Sequence, residues 1–71
     1  MGTNLGVRQL DILSHLGEVG AQTRGELILA LGTPSGTLSK TLVALYFRRL
    51  IIQEGDNYLL SPLGRRLLNV K

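Results

Sequence analysis

Seventy-one residues, 44% of them apolar and 18% charged, suffice for one small folded domain and exclude a second, because a chain this short buries only roughly 60% of its unfolded surface in a single core. Cysteine is absent, which excludes a disulfide framework or a thiolate metal site and leaves the core to hold the fold alone or with a partner's surface. Eight basic against five acidic residues give a net charge of +3, a balance that suits a polyanionic partner and equally an ordinary soluble surface.

Residues 1–6 hold two glycines and no periodic pattern and read as a flexible N-terminus; the folded domain is expected over 7–71. From Val7 to about Leu16 the apolar positions Val7, Leu10, Ile12, Leu13 and Leu16 recur at helical spacing, predicting a first helix ended by Gly17 and Gly20. Thr23-Arg24-Gly25-Glu26 has the form of a capping box, so a second helix starts at Arg24, turns Leu27, Ile28 and Leu31 inward and stops at Gly32. Ala21-Gln22-Thr23 is too short for an independent strand but long enough to pair with a hairpin elsewhere.

Thr33-Pro34 marks another start, with threonine as cap and proline in the first helical position. The third helix is expected from Pro34 to about Arg49, with Leu38, Leu42, Leu45 and Arg49 or Leu50 inward. Ser35, Gly36, Thr37, Ser39, Lys40, Thr41 and Ala44 then face out, a set that is small, polar and free of acid. Leu50 to Glu54, the turn Gly55-Asp56-Asn57 and Tyr58 to Leu60 predict a β-hairpin. Ser61-Pro62 caps a last short helix, with Leu63, Leu67 and Leu68 folding back on the core and Arg65 and Arg66 in water.

The order helix, helix, helix, hairpin, helix, with Thr37-Leu38-Ser39-Lys40-Thr41-Leu42-Val43-Ala44-Leu45 leading into Leu50-Ile51, resembles the winged helix-turn-helix domains of prokaryotic transcription regulators, the MarR-like and ArsR-like groups among them. The stretch Tyr58-Leu59-Leu60-Ser61-Pro62-Leu63-Gly64-Arg65-Arg66-Leu67-Leu68 is similar to that family's wing strand and the start of its last helix. The resemblance implies a mainly α fold with a small β-hairpin: a three-helix core, a two-stranded wing and a short C-terminal helix. It implies sequence-specific binding of double-stranded DNA by a small transcriptional regulator that represses by occupying its site, the third helix in the major groove.

By position, the resemblance makes Ser35, Thr37, Ser39, Lys40 and Thr41 base and phosphate contacts, sets Ala44 near a thymine methyl and lets the backbone approach at Gly36. Arg24 and Arg48 are its phosphate clamps. Glu54 and Asp56 put two carboxylates at the hairpin tip, where a phosphate backbone repels them, so the tip is expected to stay out of the minor groove. Arg49 stands where the family usually ends this helix with glycine. One module reaching about four to six phosphates binds weakly at physiological salt, so a homodimer on two related half-sites is expected.

Other readings stand beside this one. Serines and threonines such as Ser35, Thr37, Ser39 and Thr41 are commonly plain solvated helix positions. Val43, Tyr46 and Phe47 are a candidate interface, while Tyr46 and Phe47 serve equally to complete a core in a chain with three aromatics. An acidic hairpin tip beside apolar helix positions also fits a protein-interaction module without direct DNA readout. No enzyme is expected: one histidine, His15, read as exposed on the first helix, and scattered acids assemble neither a catalytic nor a metal site. Gly32-Thr33-Pro34-Ser35-Gly36-Thr37 lacks the spacing and the lysine of a phosphate loop. No cofactor is expected. The longest apolar runs, Leu27 to Leu31 and Leu42 to Phe47, fall short of the ~20 residues that span a bilayer, and the expected location is the cytoplasm, at the nucleoid.

Overall fold

A computed structural model of the chain describes residues 5–69. Four helices, α1 (Val7–Val19), α2 (Arg24–Leu31), α3 (Ser35–Phe47) and α4 (Pro62–Asn69), surround a small antiparallel sheet of β1 (Gln22–Thr23), β2 (Ile51–Glu54) and β3 (Asn57–Leu60). The fold is thus mainly helical with a hairpin, as the periodicities predict. The sheet has a third member, because Gln22 and Thr23 pair with Tyr58 and Asn57 and make β3 its central strand. Among the described residues no helix is long and apolar enough to cross a membrane.

One apolar cluster holds the elements together. Ile12, Leu13 and Leu16 of α1, Leu27 of α2, and Leu38, Leu42 and Leu45 of α3 are buried with Leu50, Ile51 and Leu60 of the hairpin. Ile28, Leu31, Leu67 and Leu68 pack partly against them. Three positions expected inside lie outside: Val7, Leu10 and Leu63 are exposed, because α1 turns only the Ile12, Leu13 and Leu16 side of its surface to the core and α4 is anchored by Gly64 rather than by Leu63. Leu5, within the stretch read as flexible, packs partly on the cluster, while residues 1–4 lie outside the described residues.

α1 passes through Gly17 and ends at Gly20, which takes φ +86 and returns its N–H to the Leu16 carbonyl. Gly17 has a different use. A Cβ there would lie 3.0 Å from Leu68 Cδ1 and 3.4 Å from Leu60 Cδ1, so the bare backbone is what lets α4 and β3 close on α1. Nearby His15 is half-buried rather than exposed, its Nε2 lying 3.0 Å from Gln22 Oε1 and tying α1 to β1.

The capping box of α2 is complete: Thr23 Oγ1 accepts from the Glu26 N–H, and Glu26 Oε1 accepts from the Thr23 N–H. Gly32, left-handed at φ +65, ends the helix. α3 differs from its expected start, since Pro34 rather than Thr33 occupies the cap position and no side chain caps the helix.

At its other end Arg49 is the only non-glycine among the described residues with positive φ, at +63. The Arg49 N–H reaches the Tyr46 carbonyl and the Leu50 N–H the Leu45 carbonyl, the paired bonds by which a left-handed residue closes a helix. An L side chain in this conformation costs about 1–2 kcal/mol, which glycine avoids at a smaller entropic cost. Arg49→Gly is therefore expected to stabilise the fold by about 0.5–1 kcal/mol, read as a rise of a few degrees in the melting temperature.

Gly55, at φ +61, and Asp56 form the two-residue turn between β2 and β3, so Asn57 belongs to the strand. The register runs Ile51↔Leu60, Ile52↔Leu59, Gln53↔Tyr58, Glu54↔Asn57.

Candidate nucleic-acid interface

The buried stripe Leu38, Leu42 and Leu45 decides which side of α3 meets water. Ser35, Gly36 and Lys40 are exposed, and Thr37, Ser39, Thr41 and Ala44, expected to face out, are half-buried along the flanks of the helix. No acidic residue occurs from Leu27 to Gln53, so the only formal charge carried by α3 is that of Lys40. With no side-chain cap at Pro34, the first amides of α3 lack an intrahelical partner and carry the positive end of the helix dipole. The starts of α2 and α4, by contrast, are each closed by a hydroxyl.

Arg24 reinforces this end. Its guanidinium donates to Ser35 Oγ at 2.7 Å and to the Ser35 carbonyl at 3.3 Å. The position follows from the chain order: Thr23 is pinned in the sheet opposite Asn57 and caps α2, which leaves Arg24, the next residue, beside the head of α3. Spacing alone predicts a cation there but not its partner eleven residues on.

The remaining expected contacts are distributed unevenly. Thr41 donates its hydroxyl to the Thr37 carbonyl at 2.9 Å, which occupies its proton and leaves its oxygen free to accept. Arg48 sits beyond the last turn of α3, roughly 20 Å along the axis from Ser35, so it does not join the group at the leading end. Ala44 lies between the two, half-buried.

The trailing half of α3 has another character. Val43, Tyr46 and Phe47 are 53%, 55% and 78% exposed, which resolves the two readings of the aromatic pair in favour of an exposed surface. Tyr46 and Phe47 separate two grooves. One, of about 360 Å³, runs between α3 and the sheet and is lined by all three aromatics of the chain with Arg24, Ser39 and Gln53. The second, of about 500 Å³, lies toward the start of β2 and is lined by Tyr46, Phe47, Arg49, Ile51, Ile52 and Ser61.

A scan against protein-family models, a search of curated proteins and a search of solved structures find no match to the chain.

Proposed function

We propose that the chain is a winged helix-turn-helix domain that binds double-stranded DNA sequence-specifically and acts as a small transcriptional regulator, a repressor that occupies its site as a homodimer. In this reading α2 and α3 are the helix-turn-helix pair, α3 enters the major groove and the β2–β3 hairpin is the wing. The observation that carries it is the leading half of α3, where exposed Ser35, Gly36 and Lys40, uncapped amides and the Arg24 guanidinium stand together without an acid. Hydroxyl, amide and cationic donors at one helix start are what phosphate and base-edge acceptors require.

Ser35 and Lys40, with Arg24, then meet the backbone, Gly36 allows close approach, Thr37, Ser39 and Thr41 offer hydroxyls along the flanks, and Ala44 supplies an apolar contact. Arg48 reaches a more distant phosphate. The hairpin tip, with exposed Glu54 and Asp56, stays clear of the backbone.

Fluorescence anisotropy with mixed duplexes at two salt concentrations tests the proposal. Binding is expected to fall steeply with salt, and Lys40→Ala to lower the slope of log K against log salt by about 0.9 while weakening all sequences alike. Absence of binding even at low salt overturns it. The exposed Val43, Tyr46 and Phe47 favour a second reading, a winged-helix module that docks another protein without reading DNA, and that outcome would select it.

A further inference from the structure

We infer that the free edge of the sheet is where two copies of this chain join, β2 against β2 in antiparallel orientation, with Tyr46 and Phe47 of each copy closing over the seam. The inference supplies the pairing that the DNA-binding reading requires and rests on that reading for its purpose, though not for its geometry.

The strand order β1-β3-β2 leaves one side of β2 unpaired. Across a two-residue hairpin turn the flanking residues form a hydrogen-bonded pair and the pattern then alternates. Glu54 and Ile52 therefore spend their main-chain groups on β3, whereas Ile51 and Gln53 turn theirs outward. Beside this edge lie the exposed rings of Tyr46 and Phe47 and the groove they share with Ile51 and Ile52. Unpaired strand groups next to apolar side chains are a template for another strand.

Charge selects a second copy as the occupant. Arg48 and Arg49 precede β2, and Glu54 and Asp56 close it. An antiparallel copy sets the basic end of each strand beside the acidic end of the other, while a parallel one stacks like charges. Antiparallel pairing is also the two-fold arrangement in which one patch complements itself. With Ile52 on the axis, Ile51 of each copy faces Gln53 of the other, so the outward main-chain groups satisfy one another and the two Ile52 side chains meet. Arg49 then falls opposite Gly55 of the second copy, between its Glu54 and Asp56.

The arrangement keeps the leading ends of α3 open, because Ser35 and Phe47 are roughly 18 Å apart along the helix.

Sedimentation equilibrium of the full chain without DNA tests the inference. The expected mass is twice 7.7 kDa. Gln53→Pro, which removes the outward N–H and an exposed side-chain bond to the Gly55 carbonyl but no bond to β3, and Phe47→Ser are each expected to weaken association at least tenfold with the circular dichroism spectrum unchanged. Glu54→Lys is expected to weaken it as well, and Arg49→Glu in the same chain to restore it. A monomer at every concentration overturns the inference and gives the edge to a different protein; so does a dimer indifferent to both Gln53→Pro and Phe47→Ser. A chain that dimerises this way but ignores every duplex keeps this interface and loses the DNA-binding reading, and duplex binding by a monomer does the reverse.

Discussion

Gly64→Ala is expected to cost about 3 kcal/mol or more, a large part of the roughly 4–10 kcal/mol that holds together a domain of this length. Gly64 is buried in the first turn of α4, and a Cβ there would overlap the Leu50 carbonyl oxygen, with the Leu50 carbonyl carbon at 3.1 Å and Leu60 Cδ2 at 3.2 Å. The obstacle is main chain. It cannot rotate away, and the Leu50 carbonyl is already held by the Ser61 N–H at 3.1 Å. At Gly17 the nearest atoms are the tips of Leu68 and Leu60, which can shift, so Gly17→Ala serves as the control and is expected to cost no more than about 1 kcal/mol. Urea denaturation of the two variants checks both values, and equal costs would show that backbone crowding at Gly64 is not what matters.

The second large effect is expected at Ser61. Its hydroxyl donates to the Arg49 carbonyl at 2.6 Å and accepts from the Gly64 N–H at 3.0 Å. One buried side chain thus caps α4 and satisfies the corner where α3 passes into β2. Ser61→Ala strands an acceptor and a donor together, and about 2 kcal/mol of stability is expected to go with them. Ser61→Thr keeps both bonds and is expected to recover most of the loss. Thermal melts of the pair provide the measurement; an alanine variant as stable as the parent would mean that water replaces the hydroxyl.

These two positions show where the sequence is transparent and where it is not. The start of α2 was readable because a capping box is a local pattern of side chains four residues long, and both of its bonds form. Ser61-Pro62 was readable as a helix start for the same reason. That the Ser61 hydroxyl also reaches Arg49, twelve residues back, has no local signature, since it depends on how the hairpin returns the chain to the end of α3. Gly17 misled as a terminator: glycine punctuates helices often, but this one serves a close approach made by residues more than forty positions away.

Position 49 was not legible from periodicity, which carries the third helix to about Arg49 and offers its inward place to Arg49 or Leu50; the helix ends at Phe47, Arg49 is exposed at positive φ, and Leu50 takes the buried place. For the candidate site, the inward leucines of α3 were set by periodicity and its exposed leading end followed. The Arg24–Ser35 contact did not, because it needs the angle between two helices. Exposure of Tyr46 and Phe47 was undecidable from hydropathy, since an apolar ring fits either a core or an interface.

The third strand has a consequence for how the chain acquires its shape. Gln22 and Thr23 find their partners only at Tyr58 and Asn57, and Gly17 of α1 meets Leu60 and Leu68. A segment reaching only through α3 therefore lacks Leu50, Ile51 and Leu60, three members of the buried cluster on which α1 packs. Closing such long loops costs entropy before their contacts offset it, so α1 is expected to gain its full protection only together with β3 and α4, which native-state hydrogen exchange would read as one unit.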